Sequence, residues 1–224
     1  RDLKESYAIG ALGNDSHMHG ENQWPETKHY PLEMRKKLEE YWKIMLEISK
    51  QVSTCLALSL GLNSSFFTEN MTNPIAQMIL LRYPPPIEFD ESTGKPLQSA
   101  CGSHTDCGFL TLLVQQSDPI DALQVKEKAI KLSKSNDEKE SWIPAPQLEE
   151  CVLVNLGDMV QRWSNDLYMS SWHRVPNQSG KIRHSIPFFC NLDYNAIVDP
   201  TTSVCNGDLK HLVGDAKYEK TCAG

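Results

Sequence analysis

A chain of 224 residues is long enough to bury one sizeable core and short for two, so a single domain over 1–224 is expected. Its 29 acidic and 22 basic residues give a net charge of −7, and 40% hydrophobic with 23% charged content is near the globular average; this excludes a disordered or collagen-like chain and argues against a nucleic-acid binder. No apolar run reaches the ~20 residues of a membrane span, so no membrane association is expected. Seven cysteines without a CxxC pair, five of them in apolar or strand-like contexts, suit buried, reduced thiols and a cytoplasmic setting.

Residues 1–30 carry Gly10, Gly13, Gly20 and Pro25 among polar residues and read as an irregular arm. Within it, His17-Met-His19 reads as a solvated pair rather than a metal site. From Pro31 to Leu60 apolar residues recur at three- and four-residue steps, which predicts a long amphipathic scaffold helix with Pro31 in its first turn, a Glu39–Lys43 pair on its surface and Gly61 as its stop. A dimer contact along it would leave the chain a monomer or a weak homodimer. Beyond Asn73-Pro74 the pattern changes to short apolar runs: 77–83, 108–115, 122–125, 151–156 and 182–191. Many short strands at this spacing predict a sandwich or barrel over about 75–200. The charged stretch 126–141 has no sustained apolar face and reads as a solvated insertion.

The chemistry-bearing residues lie in the strand-like half. His104-Thr-Asp106 opens the strand expected to continue as Cys107-Gly-Phe-Leu-Thr-Leu-Leu-Val, and alternation along it puts His104 and Asp106 on one face. His173, in Ser-Trp-His-Arg-Val, is the best-placed third ligand. Two histidines and a carboxylate on one face of an octahedron leave the other positions open, as in non-haem Fe(II) oxygenases; zinc is the competing metal. Farther on, Arg183 and Ser185 share a face of one strand, so a guanidinium and a hydroxyl can address one carboxylate, while His184 points away. A zinc hydrolase has no need of such a clamp, whereas an iron oxygenase that chelates a dicarboxylic keto acid does. Cys107 and the aromatics Trp163, Trp172 and Phe188 are expected to be packed; Phe189 alone shares the parity of Arg183 and Ser185.

Leu81-Arg-Tyr83-Pro-Pro-Pro, His104-Thr-Asp106, Val154-Asn-Leu-Gly-Asp158-Met-Val-Gln-Arg-Trp163, His173-Arg-Val and Arg183-His-Ser185-Ile-Pro-Phe-Phe189 occur in this order. In this the chain resembles the isopenicillin N synthase-like family of 2-oxoglutarate and Fe(II)-dependent dioxygenases. The resemblance implies a mainly β fold with flanking helices, a double-stranded β-helix or jelly-roll core, and a missing N-terminal segment that would leave a sheet edge unpaired. It implies that His104, Asp106 and His173 are the catalytic iron ligands, that Arg183 and Ser185 hold the distal carboxylate of 2-oxoglutarate, that Tyr83 contacts the bound acid, and that Phe189 lines the substrate pocket. The implied activity consumes O2 and 2-oxoglutarate, releases succinate and CO2, and hydroxylates or otherwise oxidises a small organic molecule, with ascorbate as a reductant. Leu81 departs from the family's usual Asn, and Arg82 is similar to the isopenicillin N synthase version. An oxidase of that type or of the aminocyclopropane carboxylate oxidase type, using no 2-oxoglutarate, is therefore the alternative, with a non-catalytic fragment as a third reading.

Overall fold

The computed structural model describes residues 2–11, 18–26, 28, 30–94, 96–116, 123–127, 141–176, 180–205 and 208–224. Most of the expected insertion (residues 128–140), together with His17 and His29, lies outside these. The first element corrects the expectation of an arm without regular structure: Glu5–Ile9 is a strand, β1, with only Ile9 fully buried. His19 is half-buried, its Nε2 bonding with the Pro74 carbonyl at 3.2 Å.

The long helix α1 runs over Leu32–Ser59. It stops where the spacing predicts, because Gly61 takes φ +67°, a left-handed value that costs a residue without Cβ little. The Gly61 N–H then reaches the Leu58 carbonyl and the Leu62 N–H the Ala57 carbonyl, satisfying carbonyls that the helix end would leave open. On its surface Glu39 is held by Arg35 at 2.8 Å rather than by the expected Lys43. Its inner face buries Trp42, Met45 and Leu56, and the Trp42 ring meets Phe188 edge-on at 5.6 Å.

The strands that follow are β2 (Pro74–Tyr83), β3 (Cys101–His104), β4 (Leu110–Gln115), β5 (Leu123–Lys126), β6 (Trp142–Ala145), β7 (Leu153–Leu156), β8 (His173–Val175), β9 (Arg183–Asp193), β10 (Ile197–Val198) and β11 (Thr221–Cys222), with short helices α2 (Asp158–Trp163) and α3 (Lys210–Val213). Among the described residues, one antiparallel sheet has the order β1-β2-β9-β4-β7 and faces a second of order β3-β8-β5-β6, the two sheets of a jelly roll. Strand alternation divides the first sheet. One parity of β9, with Phe188, Cys190 and Leu192, joins the main core under α1. The other, with Arg183, Ser185 and Phe189, faces the second sheet, where Tyr83, Leu113, Leu123 and Val175 form a smaller core. A tail latch completes the fold: buried Asn165 donates to the Val213 and Asp215 carbonyls, and Tyr218 donates to Asp166.

All seven cysteines are free, but only Cys190 and Cys205 are buried; Cys55, Cys107 and Cys151 are exposed. That corrects the expectation of five buried thiols: Cys55 lies on α1, Cys107 between β3 and β4 and Cys151 ahead of β7, none of them on a strand. No helix among the described residues is long and apolar enough to cross a membrane.

Candidate metal centre and keto-acid clamp

His104 ends β3 and His173 begins β8, and the two strands pair so that these residues stand directly opposite each other. Their rings lie 4.2 Å apart. Asp106 does not continue that strand, because the ladder breaks after His104 and β4 starts only at Leu110. The shared face expected from alternation is thus reached by a turn, which carries the Asp106 carboxylate back between the two imidazoles. Asp106 Oδ1 lies 3.7 Å from His104 Nε2 and 3.6 Å from His173 Nε2. The ligand atoms of the three residues all fall within 4.8 Å of one another.

Each group is oriented from behind. The Nδ1 of His104 bonds with the Gly102 carbonyl at 2.8 Å and that of His173 with the Ser171 carbonyl at 2.9 Å, so a proton sits on each Nδ1 and Nε2 is the nitrogen turned to the centre, the one a metal would take on displacing any proton there. Asp106 is only 7% exposed. Its Oδ2 accepts from Thr111 Oγ1 and Asn155 Nδ2, both at 2.7 Å, so Oδ1 is the oxygen left to the centre. The Cys101 sulfur beside its ring, and secondarily the Gly102 carbonyl and Asp106, push the His104 pKa up to about 9 against the opposing effect of burial. Two inward imidazole nitrogens and one carboxylate oxygen, with the wider approach on the side of the more exposed His104, match the open three-ligand set of a mononuclear iron site.

The turn bearing Asp106 is fastened to α2. The N–H groups of Gly157, Asp158 and Met159 donate to the Phe109, Asp106 and Gly108 carbonyls at 2.9, 2.8 and 3.1 Å. Residue type and spacing assign no role to Thr111, Asn155 or Gly157, although Asn155-Leu-Gly157-Asp158 lies within one of the motifs that carry the family resemblance. Replacing Thr111 by Val, which keeps the shape and removes one bond to the carboxylate, is expected to weaken Fe(II) binding by about 10- to 100-fold with little change in fold. Anaerobic metal titration alongside a melting curve checks this.

The second cluster lies on the first sheet, on the face turned toward the sheet that carries the two histidines. Arg183, Ser185 and Tyr83 are all buried. Tyr83 stands opposite Arg183 in the β2–β9 ladder, and the guanidinium carbon sits 5.1 Å from the Tyr83 ring centroid. Burial pushes the Tyr83 phenol pKa up, against the opposing effects of the Ser185 hydroxyl and the Arg183 guanidinium. Arg183 Nη2 donates to Gln115 Oε1, a contact absent from the sequence reading. Leu81 stands opposite Ser185 on β2 and Gln115 opposite it on β4. Arg82 has the other parity and pairs with Glu5 of β1 at 2.8 Å, away from this cluster. His184 is exposed, as its parity requires. Phe189 is half-buried and stands opposite Thr111 on β4, one pleat from the Asp106 carboxylate. Two packing expectations fail: Cys107 is exposed on the ligand turn, and Trp172, beside His173, is 51% exposed.

A jelly roll that gathers two histidines and an aspartate at its mouth and a buried arginine deeper in defines a class of oxygenase, and comparison with known proteins agrees. Residues 75–192 match the 2OG-Fe(II) oxygenase superfamily, and the chain belongs to that family. It is 37% identical over 197 residues to the 2-oxoglutarate-Fe(II) type oxidoreductase hxnY of Emericella nidulans, covering 84% of this chain and 52% of that protein. It is 35% identical over 202 residues to the homoarginine-6-hydroxylase 2-ODD-C23.1 of Arabidopsis thaliana, covering 89% of this chain and 55% of the relative. Among solved structures, a full-length Neurospora crassa protein in complex with alpha-KG superposes with a TM-score of 0.79 at 28% identity, over 100% of this chain and 64% of that one. The chain thus spans about half the length of the curated relatives it matches.

Proposed function

We propose that the chain is the catalytic domain of a non-haem iron oxygenase that couples oxidative decarboxylation of 2-oxoglutarate to oxidation of a small organic molecule. The observation that carries this is a His104–Asp106–His173 centre between strands of the second sheet together with a buried arginine over a tyrosine ring on the inner parity of the first. In this reading His104 Nε2, Asp106 Oδ1 and His173 Nε2 hold Fe(II), kept aimed inward by the carbonyls that accept from each histidine Nδ1 and by the Thr111 and Asn155 donors on Asp106. Iron and the keto acid together supply activation of O2, with succinate and CO2 as coproducts and ascorbate as a reductant that maintains Fe(II).

The chain's own residues bind and orient. Arg183 and Ser185 take the distal carboxylate, an arrangement strengthened by burial because a guanidinium–carboxylate pair gains from a low local dielectric when its remaining hydrogen bonds are met. The Tyr83 ring, with its centroid 5.1 Å from the guanidinium carbon, limits where Arg183 can swing. Leu81, where the family usually has Asn, gives the acid an apolar neighbour opposite Ser185. Phe189 and the exposed ligand turn at Cys107 flank the space left for substrate. The outward pairing of Arg82 with Glu5 removes the feature that favoured an oxidase independent of 2-oxoglutarate.

We place the whole chain in one domain, acting in the cytoplasm as a monomer or weak homodimer on a small-molecule substrate, without nucleic acid or membrane. The free cysteines and net negative charge support that setting. The test is succinate formation by iron-loaded protein under air, measured by mass spectrometry across a panel of small organic acids, amino acids and heterocycles. Succinate formed in wild type and absent in His173→Ala supports the reading; folded, iron-loaded wild type that forms none with any compound overturns it.

A further inference from the structure

We infer that Gln115 is a positioning residue that sets the Arg183 guanidinium for a dicarboxylic keto acid; this rests on the assignment of Arg183 made above. Gln115 closes β4 on the inner parity shared by Thr111 and Leu113, and it is buried. Its amide cannot be reversed without loss. The Nε2 group donates to the Ala145 carbonyl of β6 at 3.1 Å, so Oε1 is turned to Arg183, whose Nη2 donates to it. The Gln115 backbone is held in turn: its N–H donates to Gln147 Oε1 at 3.2 Å, and Gln147 Nε2 is anchored on the Leu148 and Cys151 carbonyls at 2.7 and 2.6 Å.

One side of the guanidinium is therefore fixed by an acceptor that bridges both sheets, while the guanidinium carbon lies over the Tyr83 ring, 5.1 Å from its centroid. A long side chain confined in this way has fewer rotamers to lose when an anion arrives. Gln115 is also neutral, so it orients the cation without cancelling the charge that attracts a carboxylate. A carboxylate at 115 would do the first and defeat the second.

The experiment is anaerobic binding of 2-oxoglutarate and of 2-oxobutyrate, which lacks the distal carboxylate, to the Fe(II)-loaded protein, with the Kd for Fe(II) and the melting temperature measured alongside. Gln115→Met is expected to raise the Kd for 2-oxoglutarate roughly tenfold, the scale of one hydrogen bond to a charged group. It should leave 2-oxobutyrate and Fe(II) binding unchanged, and it should have no further effect in an Arg183→Met background. Should Gln115→Met not fold, Gln115→Glu keeps size and acceptor and is expected to weaken 2-oxoglutarate selectively and by a larger factor. Unchanged 2-oxoglutarate affinity, equal losses for both acids, or additivity with Arg183→Met would overturn the inference while leaving the iron and keto-acid reading standing. Wild type that binds Fe(II) but neither acid overturns both.

Discussion

Asp106→Asn is expected to fold and melt close to wild type yet to lose Fe(II) affinity by about a thousandfold, roughly 4 kcal/mol. The amide keeps the size of the side chain, and its oxygen can still accept from Thr111 and Asn155, which bond Asp106 Oδ2 at 2.7 Å each. What changes is the atom facing the histidines. Oδ1, 3.7 and 3.6 Å from the two Nε2 atoms, is replaced by an NH2 group with no lone pair to give, and the one anionic ligand of the set is gone. Asp106→Ala should lose the metal equally and also melt lower, because it leaves the buried Thr111 hydroxyl and the half-buried Asn155 amide without their acceptor. Titration of anaerobic protein with Fe(II), next to thermal melts of both variants, separates the two effects. Wild-type affinity in Asp106→Asn would mean that the metal does not sit among these three residues.

Gly157→Ala should be the most damaging change outside the ligands. A Cβ built at Gly157 would lie 2.1 Å from the Gly108 carbonyl oxygen and 2.9 Å from that of Asp106. Both are backbone atoms, so no side chain can rotate out of the way. Relief requires parting α2 from the turn that carries Asp106, and that turn is held by the Gly157, Asp158 and Met159 N–H groups. A loss on the order of 3 kcal/mol is expected, roughly 10 °C in Tm for a chain of this size, together with much weaker Fe(II) binding in whatever folded protein is recovered. Gly61→Ala, at a positive φ but with open space around its Cβ, should cost only about 1 kcal/mol and leave iron binding intact. Equal damage from the two would contradict a specific role for the α2 contact.

Residues whose role is set by period were legible in the sequence. Spacing of three and four gave α1 nearly to its ends, and alternation placed Arg183, Ser185 and Phe189 together with His184 outside. The failures have physical causes. In β1 only Ile9 is fully buried, so an edge strand of mixed polarity leaves little pattern against the glycines that follow it. His104 and Asp106 converge through a strand end and a turn, where the period-2 argument does not apply even though its conclusion about one face survives. Thr111, Asn155 and Gln115 act on partners 5, 49 and 68 residues away; polar residues of this kind are explained only once the strands are paired. Gln115 did leave one signal, as a polar residue on the inner parity of an otherwise apolar strand. The exposure of Cys107 and Trp172 follows from their places on and beside the ligand-bearing turns, which residue type alone does not reveal.

The central claim is that the His104–Asp106–His173 centre and the Arg183 cluster act together on one cosubstrate. Its most direct test is an anaerobic titration with Fe(II) and then 2-oxoglutarate, following the visible metal-to-ligand charge-transfer band in wild type and Arg183→Ala. The account predicts a band that requires both iron and the keto acid, and that in Arg183→Ala appears only at roughly 100-fold higher 2-oxoglutarate, the scale of a buried guanidinium–carboxylate pair. Iron binding without any band, or a band indifferent to Arg183, would contradict it.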